Sequence, residues 1–306
     1  MKTLDDLVAA GALLSMVPIA GLTTYKLGGP ARYFLEAEDE AQLVTIADAL
    51  VDEPLLVLGR GSNLVVSDDG FPGLVVHLGA GFVRTEFGES GTVTSRAATS
   101  MPALARICAR AGRGGLEFYA GIPGSVGGGV RMNAGCHGSE TRDRLESAHV
   151  IDMRKGEVSD RKPVDLEMAY RHTNLQADEI VTSATYHTEP REPAEIEETM
   201  RAVIRWRRDH QPGGTFNAGS VFKNPPGDSA GRIIDGLGLK GTRVRGAHVS
   251  TKHANFFVAD EGVKAQDIYD LVWAVRRRVG LEIGIWLHPE IQFAGPFLAS
   301  PDEEAP

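Results

Sequence analysis

Three glycine-rich segments in the first half of the chain constrain its fold more than any other feature: Lys26–Arg32 (KLGGPAR), Leu58–Gly73 (LGRGSNLVVSDDGFPG) and Ala120–Gly135 (AGIPGSVGGGVRMNAG). Glycines let a backbone turn its N–H groups inward and approach a ligand closely, and successive N–H groups form concave nests for phosphate oxygens. A dinucleotide pyrophosphate fits that chemistry. One such loop is readily a tight turn with no ligand; three long ones with few charges favour a ligand.

A dinucleotide fingerprint of the Rossmann kind at Gly59 and Gly61 fails on context. Gly61 is followed by Ser62, Asn63 and a strand-like run from Leu64 to Ser67, where that fingerprint requires a third glycine and a helix.

Helix and strand patterns alternate along the rest. Asp39–Asp52 places Leu43, Ile46, Ala47 and Leu50 on one helical stripe, and Leu55–Leu58 follows as a strand. Ser100 before Pro102 opens a second helix with Leu104, Ile107, Cys108 and Ala111 on one face and Gly112 past its end. Gly91–Ala97, His149–Met153 and Glu179–Tyr186 read as strands, and a charged helix runs from about Ala194 to Arg208. The last third predicts a short helix near Ser229–Gly236, a strand-like His253–Ala259, a long helix over Lys264–Val279 and a final strand through Ile283, Ile285 and Leu287. Residues 299–306 read as a frayed acidic tail.

Composition excludes several classes. A net charge of -9 argues against a nucleic-acid or anionic-membrane surface covering the molecule. The two cysteines, Cys108 and Cys136, form no closely spaced Cys/His set, and the histidines include no HExxH pair, so no metal is expected and reduced cytosolic thiols are. Leu7–Leu22 is apolar or small apart from Ser15, but Asp5 and Asp6 stand where a signal peptide is positive. No other stretch nears the roughly 20 apolar residues that span a bilayer. A cytoplasmic protein without membrane insertion is expected, and nothing points to an obligate protein partner.

Against that acidic background, Arg201–Lys252 carries ten Lys/Arg and three Asp/Glu. Such a patch suits an anionic small molecule such as a nucleotide diphosphate; a solvated helix face accounts for it equally well.

At these residues the sequence resembles the UDP-N-acetylenolpyruvoylglucosamine reductases of bacterial peptidoglycan synthesis. From about Thr23 to Phe293 the family's elements stand in order: TTYKLGGPA, LGRGSNLVVSDDGFPGLV, GLEFYAGIPGSVGGGVRMNAG, YRHT, NAGSVFKNP, AGRIIDGLGLKG, VSTKHANFFV and LHPEIQF. The compact spacing between Tyr170 and Ser220 resembles the type II branch. The resemblance implies an α+β fold, with a two-part FAD-binding region of the vanillyl-alcohol-oxidase type over 1–79 and 80–200 and a smaller substrate-binding domain over 201–298. It also implies the reaction, in which NADPH reduces a non-covalently held FAD, which then reduces the enolpyruvyl ether of a UDP-sugar.

By the same resemblance, FAD lies against Gly59, Arg60, Gly61, Ser62 and Asn63 and against Gly121, Ile122, Pro123, Gly124, Ser125, Val126 and Gly127, with Asn133 and the Thr23–Pro30 segment nearby. Arg171, Ser220 and Glu290 are implied as catalytic, and Tyr170, Lys223 and Asn224 as contacts of the substrate diphosphate. On residue physics alone Arg171 could be a surface arginine, Ser220 a turn residue and Glu290 a strand-end cap; their matching motifs reverse that ordering. Two departures stand out: Thr173 where the family often has Ser, and His210 where it often has Lys. The rival readings are another FAD oxidoreductase of the same cofactor fold acting on a hydroxy acid, and a non-catalytic nucleotide-sugar binding protein.

Overall fold

The computed structural model describes residues 2–303. The chain forms two compact units, one of Met1–Ser15, Tyr33–Arg60 and Gly73–Arg207, the other of Met16–Arg32, Gly61–Pro72 and Arg208–Pro306. Helices and largely antiparallel strands are mixed along the chain, an α+β fold.

In the first unit, helix α1 (Leu4–Ala9) starts at a capping box: Thr3 Oγ1 accepts the Asp6 amide and the Asp6 carboxylate accepts the Thr3 amide. Asp5 and Asp6 are therefore first-turn residues of a helix whose Leu4 and Leu7 are buried. The apolar stretch after them breaks into a strand, Leu14–Pro18, and a single turn at Ala20–Leu22. Among the described residues no helix is long and apolar enough to cross a membrane.

Helix α2 (Glu40–Ala47) is capped by Asp39 and packs Leu43, Ile46 and Ala47 inward. Leu55–Leu58 pairs in parallel with Phe71–Leu78. Helix α3 (Met101–Arg110) is capped by Ser100, as its sequence requires, but the buried stripe is Met101, Leu104, Ala105 and Cys108, with Ile107 half-buried and Ala111 exposed. Burial pushes the Cys108 thiol up to about 12, and both cysteines are free thiols.

An antiparallel five-stranded sheet runs in the order Glu157–Arg161, Leu145–Asp152, Glu179–His187, Thr92–Arg96, Thr85–Phe87. Part of the third glycine-rich segment is itself helical, α4 (Val126–Arg131), capped by Ser125. Helix α5 (Pro193–His210) closes this part of the chain. The unit has two cores. One gathers α1, α2 and the parallel strands around Leu43, Leu74 and Phe82; the other gathers α3, α4 and the five-stranded sheet around Leu104, Tyr119 and Tyr186.

The second unit is built on helix α6 (Ala230–Gly236), helix α7 (Ala265–Ile283) and the three-stranded sheet Arg243–Val244, Ala247–Val249, Phe257–Ala259. Ile268, Leu271, Val272, Val275 and Val279 carry the α7 face into a core that includes Tyr25 and Val65. Asp68 caps α7 from a distance, its carboxylate accepting the amides of Ala265 and Gln266 at 3.0 and 3.1 Å.

Three expectations change. The segments 16–32 and 61–72 belong with the C-terminal part rather than with 1–79, because Leu64–Val66 pairs in parallel with Gln292–Ala294. The expected strand through Ile283, Ile285 and Leu287 does not form. Ile283 ends α7, Gly284 caps it with φ 73°, and Trp286 folds back so closely that a Cβ on Gly280 would stand 2.4 Å from its ring. Arg276 is held there between the rings of Trp273 and Trp286, and the last strand is Gln292–Ala294. The start of the expected frayed tail is ordered: Tyr269 donates to Glu303 at 2.8 Å and Arg277 pairs with Asp302 at 3.6 Å. The remainder, 304–306, lies outside the described residues.

Gly284 meets no atom within 4 Å where a Cβ would stand, so any penalty there is purely conformational. Gly284→Ala is expected to lower unfolding free energy by about 1–2 kcal/mol, read as a lower denaturant midpoint with an unchanged m-value.

Candidate active site

The glycine-rich segments are shaped by close backbone approach. In the first unit, Gly59 follows the strand Leu55–Leu58, and a Cβ on it would lie 2.7 Å from Ser125 Oγ, the hydroxyl that accepts the Gly128 amide at 3.4 Å. A Cβ on Gly121 would meet Val203 at 2.7 Å and one on Gly127 would meet Ala97 at 3.0 Å. Gly59 thus lies directly against the Ser125 side chain, which caps the helix that opens in the 121–127 segment. Close packing of these glycine-rich loops fits an extended diphosphate.

In the second unit, Gly61 has φ 56°, and a Cβ there would stand 2.5 Å from the Leu22 carbonyl oxygen. Its own carbonyl accepts from both the amide and the hydroxyl of Thr24, at 3.0 and 3.1 Å. The TTYKLGGPA and GRGSN segments are therefore joined here.

Asn63 joins two distant segments. Its side-chain amide donates to the Glu290 carbonyl at 3.0 Å and its carbonyl accepts from Gln292 at 2.9 Å. The Glu290 amide donates to the Val221 carbonyl at 2.7 Å, the Lys223 amide donates to the His288 carbonyl at 2.9 Å, and Phe222 bridges to Pro289. Paired segments therefore bring Ser220 and Glu290 together, both half-buried. Ser220 follows a turn at Gly219, φ 76°, whose amide is held by the Asn217 side chain at 3.0 Å. Lys223 and Asn224 continue the same segment, and Asn224 Oδ1 accepts the Ala230 amide at 3.0 Å, opening α6.

Arg171 and Tyr170 lie in the first unit. They are the two central residues of a tight turn closed by a pair of hydrogen bonds between Ala169 and His172, at 3.1 and 3.0 Å. Arg171 has φ 52°, at a turn position usually given to Gly or Asn. Its guanidinium donates to the Gly135 carbonyl at 2.7 Å and lies 5.1 Å from the Tyr170 ring centroid. Asn133 supports this turn: fully buried at φ 41°, it donates to the Ala169 carbonyl at 2.8 Å and to Glu140 at 3.0 Å, and accepts the Arg142 amide at 3.0 Å. The Asn133 side chain thereby shapes the Arg171 turn.

The basic stretch largely neutralises itself. Arg201, Arg208, Arg232, Lys240, Arg243 and Arg245 all pair with carboxylates. Asn255 escaped sequence reasoning although its motif, VSTKHANFFV, was noted; the signal was an amide inside an otherwise apolar run.

Known proteins give the same outline. An FAD binding domain model matches residues 31–160, and the C-terminal domain model of UDP-N-acetylenolpyruvoylglucosamine reductase matches 211–294. A reductase of that name from Parasynechococcus marenigrum is 41% identical over 288 residues, 93% of this chain and 96% of its own. One from Erythrobacter litoralis is 40% identical over 286 residues, 93% of this chain and 88% of its own. This chain belongs to the UDP-N-acetylenolpyruvoylglucosamine reductase family. The crystal structure of the Thermus caldophilus reductase shares 38% identity and a TM-score of 0.79, covering 92% of this chain and 98% of that one. The family's FAD-binding region is of the vanillyl-alcohol-oxidase type, and the loops at 59–60 and 121–127 lie within the span matched by the FAD model.

Replacing Gly61 by Ala combines a left-handed φ with a backbone clash at Leu22 and Thr23. The Gly61→Ala chain is expected to lose about 2 kcal/mol or more of stability and to retain less flavin per protein, measured by thermal melting and by the visible to ultraviolet absorbance ratio.

Proposed function

We propose that the chain catalyses the NADPH-dependent, FAD-mediated reduction of UDP-N-acetylglucosamine enolpyruvate to UDP-N-acetylmuramate in peptidoglycan precursor synthesis, in the cytoplasm. The observation that carries this reading is the pairing of the Ser220 and Glu290 segments through Val221, in a chain that matches reductases of this name along nearly its whole length. The C-terminal domain match over 211–294 favours it over a hydroxy-acid oxidoreductase that shares only the cofactor fold.

The residues that would hold FAD are Gly59–Asn63 and Gly121–Gly127, through backbone amides rather than charged side chains. When bound, FAD would supply the redox chemistry that links NADPH, the hydride donor, to the terminal alkene carbon of the substrate. Negative charge then develops beside the substrate carboxylate and spreads into it. A guanidinium from Arg171 and a carboxylic acid from Glu290 stabilise that enolate-like charge, most effectively in a dry, preorganised site. Ser220 Oγ gives its proton to the neighbouring carbon as general acid. Tyr170, Lys223 and Asn224 hold the UDP diphosphate.

The test separates the two half-reactions. Purified protein is expected to be yellow, to bleach with NADPH and to regain colour on adding UDP-N-acetylglucosamine enolpyruvate. A colourless protein that still binds the UDP-sugar would instead mark a non-catalytic binding protein. In Ser220→Ala, bleaching stays near wild type, while recovery of colour slows by about 10²- to 10⁴-fold. Equal slowing of both halves would assign Ser220 a structural role at the flavin.

Arg171→Lys keeps the charge but loses the planar fork that holds a carboxylate at two points. Steady-state turnover is expected to fall by roughly 10²-fold; an unimpaired lysine variant removes Arg171 from the site.

A further inference from the structure

The segment that carries Ser220 is gripped on both sides by buried polar side chains to which the proposed chemistry assigns no task. Ser220 follows Gly219 at φ 76°, where a Cβ would meet open space. The Gly219 amide is held by the Asn217 side chain at 3.0 Å, and Ser220 faces Phe256 across an isolated antiparallel bridge. The residues on either side of Ser220 are fixed as well.

On the N-terminal side stands Tyr25, whose ring is 1% exposed. Its hydroxyl donates to the Phe257 carbonyl at 2.9 Å and faces the amide of Ala218, two residues before Ser220. On the C-terminal side stands Asn255, 3% exposed. Its Oδ1 accepts the Phe222 amide at 2.9 Å, its Nδ2 donates to the Phe222 carbonyl at 2.8 Å, and its own carbonyl accepts the Val221 amide at 2.9 Å. The side-chain amide pairs with Phe222 as a peptide group on a neighbouring strand would. The rings of Phe222 and Phe257 meet edge to face at 5.9 Å, so both clamps close on the same packed layer.

The positions on either side of Ser220 are thereby referred to one strand, Phe257–Ala259, and to the residues just before it. The Val221 carbonyl between them receives the Glu290 amide. We infer that Tyr25 and Asn255 are positioning residues that set the Ser220 hydroxyl relative to Glu290. This inference rests on the reductase reading given above. An apolar residue could fill either space, but it would leave the Ala218 amide, or both polar groups of Phe222, buried without partners. Hydrogen bonding at these places fixes a direction that packing alone leaves open.

Two variants of the flavin-loaded protein test this. Tyr25→Phe keeps the ring and removes only the hydroxyl. Asn255→Asp keeps the shape and the acceptor but turns a carboxylate oxygen toward the Phe222 carbonyl. Both are expected to be reduced by NADPH at the wild-type rate and to bind UDP-N-acetylmuramate with unchanged affinity. Reoxidation by the enolpyruvyl substrate should slow by roughly 10- to 10²-fold, the scale of a misplacement of about 1 Å. Amide exchange should rise at Val221 and Phe222 in Asn255→Asp and at Ala218 in Tyr25→Phe. Acidification should partly restore Asn255→Asp, because a protonated aspartic acid again donates to the Phe222 carbonyl. If Asn255→Asp does not fold, Tyr25→Phe decides alone. Wild-type reoxidation in both variants despite raised exchange would overturn the inference, as would equal slowing of both half-reactions. A wild-type protein that NADPH bleaches but the enolpyruvyl substrate does not reoxidise would sink the reductase reading first, and this inference with it.

Discussion

The backbone of Glu290 is held at both of its polar groups. Its amide gives a hydrogen bond to Val221, next to Ser220, and its carbonyl takes one from the Asn63 side chain, at the end of a glycine-rich loop. One residue thereby ties together three stretches of chain that lie far apart in sequence. The parallel pairing of Leu64–Val66 with Gln292–Ala294 continues the same connection. Each buried hydrogen bond contributes only about 1 kcal/mol net, but leaving either group unpaired costs about 1–3 kcal/mol. The register of Glu290 against Ser220 is accordingly well defined: a slip of one residue would turn every side chain on the strand to its other face.

Glycine acts in two ways at the cofactor loops. Gly59 and Gly121 let the backbone pack directly against neighbouring side chains, Ser125 and Val203, while Gly61 supplies a left-handed conformation with the Leu22 carbonyl at its flank. Phosphate binding by such a surface depends on amide dipoles rather than on formal charge. That agrees with the fate of the basic stretch, where six of the cations flagged by sequence are engaged with carboxylates. Counting charges along the chain overstates what is offered to an anion, because lysines and arginines find acids brought near by folding.

Local signals were legible and long-range ones were not. Asp39, Ser100 and Ser229 cap the helices that their positions announce, and Leu55–Leu58 is a strand as its run of aliphatic residues suggests. The alternation of Ile283, Ile285 and Leu287 misled because Gly284 is a left-handed cap and Trp286 packs back on Gly280, a contact that period-two patterning cannot express. The motifs named Arg171, Ser220 and Glu290, but the supporting roles of Asn133, Asn63, Tyr25 and Asn255 depend on bonds to Ala169, Glu290, Phe257 and Phe222, from 33 to 232 residues away. No window of sequence contains those pairs.

The Arg171 turn is held in place at a local cost. Arginine at φ 52° and asparagine at φ 41° each occupy a conformation that costs L-residues about 1–2 kcal/mol, and glycine would relieve both. A chain with 36 glycines uses them freely elsewhere. At 171 a guanidinium stands where the backbone asks for glycine, and at 133 the asparagine offsets its own strain with three hydrogen bonds, one of them to the turn itself. The arrangement exchanges stability for a cation presented at the tip of a rigid two-residue turn, with one arm of its fork fixed on the Gly135 carbonyl.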